Sequence, residues 1–165
     1  MSNLDTLSYY LDIKVQQSTA GITICEGAYA KKLLDTNELA DSNPTGTRME
    51  ARFQLRKVGT TPIVTATNYS NIIESLRYLV NTSPYLVYFV GYVSRFIEAP
   101  KEEHHVAVKH NLRYVPGTRG WGVRYSSERG KNKLELVGYS DSDIDGRNST
   151  NGMIFLLSSG AICWK

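Results

Sequence analysis

Between Tyr69 and Val115 apolar side chains recur at intervals of three and four, and two prolines cut that pattern into three segments. Tyr69, Ile72, Ile73, Leu76 and Leu79 lay one stripe, Leu86, Phe89, Val90, Val93 and Ile97 a second, and Val108, Asn111, Leu112 and Val115 a third. A period of about 3.6 residues puts each set on one helix face, and faces of this kind have to be buried against something. Ser83-Pro84 and Ala99-Pro100 set the breaks. The residue before a proline is pushed out of helical dihedrals, whereas proline itself suits a first helical turn. The spacing therefore predicts three helices, ending near Ser83, Glu98 and Tyr114, the last stopped by Val115-Pro116-Gly117. Glu102 and Glu103 suit the start of the third, where the helix dipole is positive. Asn111 is out of place in its stripe, since a buried amide lacking a partner costs about 1 to 3 kcal/mol.

On either side of these helices the period is two. Leu11, Ile13 and Val15 alternate with Asp12, Lys14 and Gln16, which predicts one half-buried strand over Leu7 to Gln17. Ser18-Thr19-Ala20-Gly21 reads as a turn with Gly21 supplying positive φ, and Ile22 to Cys25 returns as the second strand of a hairpin. Helical spacing resumes through Tyr29, Lys32, Leu33 and Leu34 to about Leu39. Ala40 to Thr67, with Pro44, Gly46, Gly59 and Pro62, has no sustained period. It exceeds the 12 to 15 or so residues usual for an unstructured loop in a compact domain, so a linker or extended wrap is expected there. From Gly120 four short strands are expected, at Gly122–Tyr125, Leu134–Tyr139, Met153–Leu157 and Ala161–Trp164. The fold class is α+β, in three units: a hairpin and helix over 1–66, a three-helix connection over 67–118, and a small sheet over 119–165.

Composition narrows the chemistry. Nineteen Lys and Arg against sixteen Asp and Glu leave +3, enough to permit a polyanionic partner and too little to demand one. Cys25 and Cys163 form neither a metal spacing nor a disulfide framework, which suits a reducing compartment. The N-terminal residues carry no basic and apolar signal pattern, and the longest apolar stretch, Tyr85 to Val93, is half of the roughly 20 residues a membrane span needs. A soluble protein of the cytoplasm or nucleus, with no membrane partner, is expected. Walker, Rossmann and Ser-His-Asp patterns are missing, so neither a bound cofactor nor a small-molecule substrate is expected.

Three clusters carry possible chemistry. Asp141-Ser142-Asp143-Ile144-Asp145-Gly146 matches the first six positions of an EF-hand loop, but the twelfth is Gly152 instead of the bidentate Glu, and a solvated turn is preferred. On a strand, Asp141 and Asp143 would project to one face, as carboxylates do in two-metal nucleases, yet the 20 residues after Asp145 hold no further acid. His104, His105 and His110 do not place two rings on one helix face, so exposed histidines are expected and no metal site. Arg77, Arg95, Lys109 and Arg113, with Arg119 and Arg124, are interleaved with Tyr78, Tyr92, Tyr114 and Tyr125. That pattern could track a phosphate backbone, and Arg77, Arg95, Lys109 and Arg113 are the candidate nucleic-acid contacts; ordinary solvated helix faces explain it equally well.

Several blocks occur together in a telling order: Leu-Ser-Tyr-Tyr-Leu-Asp-Ile-Lys-Val at 7–15, Tyr-Ala-Lys-Lys-Leu-Leu at 29–34, Thr-Arg-Met-Glu at 47–50, and Ser-Leu-Arg-Tyr-Leu at 75–79. Val-Ser-Arg-Phe at 93–96, Glu-Glu-His at 102–104, Leu-Arg-Tyr at 112–114 and Leu-Val-Gly-Tyr-Ser-Asp-Ser-Asp at 136–143 follow, and Ser-Gly-Ala-Ile at 159–162 with Trp164 closes the series. In this order they resemble the copia-type retrotransposon Pol polyprotein over nearly the whole chain. The resemblance implies the end of a reverse transcriptase past its palm, a helical connection, and a truncated ribonuclease H-like sheet. It maps the first ribonuclease H carboxylate to Asp141, and places the other acidic ligands beyond Lys165 and the polymerase metal site before Met1. The parent's Mg²⁺ would then have no complete site, and the isolated chain is expected to be inactive, with an RNA–DNA hybrid and the rest of the polyprotein as partners. Two alternatives stand beside it: a ribonuclease H completed by another chain, and a repurposed interaction protein, since copia-like pieces occur in proteins named as secreted effectors. The last is disfavoured by the missing signal peptide and Arg-x-Leu-Arg motif. Thr82-Ser83-Pro84-Tyr85, Glu74 and Asn111 depart from the family pattern, and an acidic insert after Asp143 is missing, as in a decayed copy.

Overall fold

The computed structural model describes residues 6–47, 55–56, 61–127, 135–143 and 150–165. Among them the chain forms four α-helices and two antiparallel sheets, a mixed architecture compatible with the α+β class. The first sheet has the order β1-β2-β3-β4, from Tyr9–Tyr10, Ile13–Ser18, Gly21–Cys25 and Val123–Ser126. Between β3 and β4 run α1 (Gly27–Thr36), α2 (Ala66–Leu79), α3 (Val87–Ser94) and α4 (Glu102–Thr118). The second sheet is a meander of β5 (Leu136–Asp143), β6 (Thr150–Leu157) and β7 (Gly160–Trp164).

The three stripes do become the core. Tyr69, Ile72, Ile73, Leu76 and Leu79 of α2 pack with Leu86, Phe89, Val90 and Val93, and with Val108, Leu112 and Val115 of α4, all buried. Ala30, Leu33 and Leu34 close the core from α1. Within it, the Tyr69 hydroxyl donates to the Val93 carbonyl at 2.9 Å and ties α2 to α3. Asn111 is fully buried, as its place in the stripe requires.

Four local expectations need correction. The single strand over Leu7 to Gln17 is a tight hairpin, because Leu11 (φ 45°) and Asp12 (φ 62°) take left-handed dihedrals and turn the chain between β1 and β2. The Tyr78 hydroxyl, reaching over from α2, donates to the Leu11 carbonyl and holds that turn. The second helix is shorter than its stripe: a 3-10 turn over Pro84–Leu86 leads into α3, which ends at Ser94 in a run of turns. By contrast, α4 runs through Pro116 to Thr118. Proline removes one backbone bond there, but Val115 and Thr118 are buried against the rest of the core, and that burial outweighs the break. Finally, the histidine nearest the start of α4 is internal: His104 is fully buried.

The segment joining α1 to α2 is a wrap wherever it is described. Thr45 N–H donates to the Arg113 carbonyl at 3.0 Å and Val64 N–H to the Pro100 carbonyl at 3.0 Å, while Glu102 N–H donates back to the Pro62 carbonyl at 3.0 Å. Leu55 is buried, and its N–H donates to the Tyr92 hydroxyl at 2.9 Å. These bonds run to α3, to α4 and to the residues between them, so the long aperiodic stretch is held by backbone pairing that leaves no hydrophobic period to read.

The second sheet is tied to the rest through β7. Trp164 Nε1 donates to the Val80 carbonyl at 2.7 Å, and the Tyr125 hydroxyl of β4 donates to the Ala161 carbonyl of β7 at 2.9 Å. The pairs Leu136–Leu157 and Gly138–Phe155 put Leu136, Phe155 and Leu157 on one face, with Met153 two residues before Phe155. All four are exposed, Leu136 at 63%.

Candidate nucleic-acid interface

The first sheet is two-sided. Val15 pairs with Ile24, which pairs with Val123, so these three share the face that carries the buried Val123. The alternate residues form the opposite face. Tyr9 lies across from Lys14, and Gln16 across from Thr23, which in turn lies across from Arg124. Tyr9, Lys14, Gln16 and Arg124 are exposed. This face therefore shows two cations from strands far apart in sequence, the Gln16 amide and the Thr23 hydroxyl between them, and no carboxylate among its described residues. Such a row suits phosphate oxygens: Arg can form paired bonds to them, Lys supplies a point charge, and neutral donors add directional contacts.

The four cations singled out in the sequence are dispersed. Arg77 of α2 is exposed and ion-paired to Glu74 at 2.8 Å, which offsets its charge. Arg95, just past α3, is half-buried with its guanidinium over the Tyr92 ring at 5.7 Å. Lys109 and Arg113 are both exposed and, one turn apart, share a face of α4. The structure thus brings two of the four together and leaves the other two engaged locally. Arg124 joins Lys14, which sequence reasoning passed over; its alternation in the hairpin was legible, but the pairing of β4 onto β3 was not.

His104 has an internal role. Its Nδ1 accepts the Lys101 N–H at 3.0 Å, while the His104 N–H donates to the Lys101 carbonyl at 3.0 Å, so the ring satisfies a free N–H at the start of α4. That acceptor role places the ring proton on Nε2, which lies 3.1 Å from the Arg56 carbonyl and donates to it. The ring stacks on Phe96 with centroids 4.0 Å apart. Burial holds its pKa below the usual histidine range, against the Arg56 bond and the Glu103 carboxylate, which raise it, while Lys101 lowers it further. His110 Nε2 lies 3.1 Å from the Thr47 carbonyl, also binding the wrap to α4.

Asp141 stands on β5 opposite Gly152 of β6, and Asp143 opposite Thr150. Strand on both sides differs from the loop-then-helix of an EF-hand; Ile144 to Gly146 lie outside the described residues. Among the described residues no group of three or more His, Cys, Asp or Glu could hold a metal ion. No described helix is long and apolar enough to cross a membrane.

The described residues thus form a mixed fold of four helices and two antiparallel sheets, with two cations on one face of the first sheet. Comparison with known proteins gives the family. The chain is 34% identical, over 98% of its length, to the retrovirus-related Pol polyprotein from transposon RE1 of Arabidopsis thaliana, and 32% identical over 98% to that from transposon RE2 of the same plant. It is 32% identical over its full length to the Pol polyprotein from transposon TNT 1-94 of Nicotiana tabacum. The chain belongs to this family, the copia-type retrotransposon Pol polyproteins. It spans 11 to 13% of the length of these relatives. Neither a family model nor a solved structure matches it.

Proposed function

We propose that this chain is the part of a copia-type Pol enzyme that grips the backbone of an RNA–DNA hybrid, spanning the end of the reverse transcriptase, the connection over 67–118 and the start of a ribonuclease H-like unit. On this reading it holds nucleic acid and by itself performs neither polymerisation nor hydrolysis. The observation that carries it is the carboxylate-free row of Lys14, Gln16, Thr23 and Arg124 across β2, β3 and β4. Phosphates along a duplex would meet the two cations and the neutral donors between them, and Lys109 with Arg113 offers a second, weaker contact.

Fluorescence anisotropy of a labelled hybrid duplex at about 20 mM salt, where backbone contacts are strongest, tests this directly. Binding should weaken steeply as salt rises. The double variant Lys14→Ala, Arg124→Ala should reduce the log–log salt slope by about 0.9 for each phosphate that the protein no longer neutralises. Unchanged anisotropy, or an unchanged slope in the double variant, rejects the assignment of this face. The same samples with Mg²⁺ or Mn²⁺ report hydrolysis; cleavage abolished by Asp141→Asn would favour the nuclease reading instead.

A further inference from the structure

Among the described residues, Glu26 is an acidic side chain turned wholly into the core: the residue is 3% exposed, and both carboxyl oxygens are buried without a hydrogen-bond partner. It sits at the corner where β3 passes into α1. Beside it the Thr82 hydroxyl, just past α2, is likewise buried and lacks a partner that meets hydrogen-bond geometry. Glu26 lines a small cavity of about 10 Å³ together with Ser83, Thr118, Arg119 and Trp121. That is room for about one water, and the lining supplies the polar partners such a water needs.

The roof of this cavity is the connection from α4 to β4. Trp121 N–H donates to the Thr118 carbonyl at 2.8 Å, and the indole packs edge-on to Tyr85 with centroids 5.6 Å apart. The connection is pressed down on the corner: a Cβ on Gly122 would lie 2.1 Å from the Ile24 carbonyl oxygen, and one on Gly27 would lie 2.8 Å from the Arg119 carbonyl oxygen. A charge appearing underneath would be solvated more fully with the connection lifted.

We infer that Glu26 is a proton-operated latch: as the neutral acid, sharing the cavity with one water, it keeps the Arg119–Gly122 connection closed, and on losing its proton it draws in solvent and releases Trp121. The groups facing it do not compensate its charge. Asp12, from the β1–β2 turn, is a like charge, and Tyr78 from α2, Tyr29 from α1 and Tyr9 from β1 belong to the same electrostatic cluster. Arg119 lines the cavity, yet no ion pair joins it to Glu26. Burial is accordingly the main cause that pushes the Glu26 pKa up from 4.5 to about 7, with Thr82 lowering it somewhat and Asp12 raising it. Because the folded value is the raised one, the closed state is fully favoured below about pH 4.5 and loses that advantage as pH rises through about 7.

Fluorine NMR of the chain labelled with 5-fluorotryptophan reads the latch, since its two tryptophans, Trp121 and Trp164, give separate signals assigned with Trp164→Phe. The Trp121 signal should move in a single step with a midpoint near pH 7, and Glu26→Gln should hold it at its low-pH position throughout. The δ-carbon resonance of Glu26 in the unaltered chain should titrate at the same midpoint, which keeps the test decisive should the variant fold poorly. A Glu26 carboxyl titrating near 4.5, a Trp121 signal constant from pH 5 to 9 (a window of about 2 units on either side of that midpoint), or an identical step in Glu26→Gln overturns the latch.

Discussion

Replacing His104 by Phe keeps a ring against Phe96 and removes both ring nitrogens, so it isolates what those nitrogens contribute. Two groups lose their partner: the Lys101 N–H at the start of α4 and the Arg56 carbonyl in the wrap. A buried group left unsatisfied costs about 1 to 3 kcal/mol. Lys101 is half-buried and Arg56 exposed, so water can reach both ends and each loss falls near the low end, about 2 to 3 kcal/mol together. The pH dependence follows from the sign of the shift. With the folded-state pKa of His104 below its ordinary 6.5, the unfolded chain binds more protons just under that value. The histidine's contribution is therefore complete above pH 6.5 and declines as pH falls toward the depressed folded value. Urea unfolding at about pH 7.5 and pH 5.5, one unit either side of the reference value, should show a stability gap between the two proteins that narrows at the acid end. A gap under about 0.5 kcal/mol, or one of equal size at both pH values, would refute the reasoning.

Tyr69→Phe removes the bond between α2 and α3, but the Val93 carbonyl still accepts the Phe96 N–H at 3.2 Å, so the cost should be about 1 kcal/mol, measured by denaturant unfolding. A loss above about 3 kcal/mol would mean the hydroxyl does more than that one bond. Gly21→Ala should be far more damaging: Gly21 sits at φ 139°, and a Cβ there would lie 2.1 Å from the Tyr125 carbonyl oxygen. It should separate β4 from β3, seen as loss of amide protection at Val123–Ser126, and full protection in the variant would contradict the packing described.

The basic face shows why one set of candidate residues was legible in the sequence and another was not. Arg77, Arg95, Lys109 and Arg113 stand out in a linear reading because tyrosines sit near them, yet Arg77 is neutralised by Glu74 three residues away and Arg95 lies over Tyr92. Lys14 and Arg124 are 110 positions apart and meet on one face only through β3. Glu26 had no signal either, because a carboxyl before a helix ordinarily faces water and it is the packing of distant residues, Ser83, Tyr85, Thr118, Arg119 and Trp121 among them, that closes it off.

What the order of residues settled alone was local and periodic. The stripes of α2, α3 and α4, the breaks at Ser83-Pro84 and Ala99-Pro100, and the turn at Gly21 depend on spacing within a few residues, and the chain's blocks sufficed for its family. Tertiary structure decided whatever depended on contact between distant segments: β4 pairing with β3, the wrap stitched along α4, α4 continuing through Pro116, and His104 turning inward to cap its own helix. Periodicity records which face of an element must leave water, but not which partner covers it, and the partner determines whether a buried polar group is satisfied, charged or shut in.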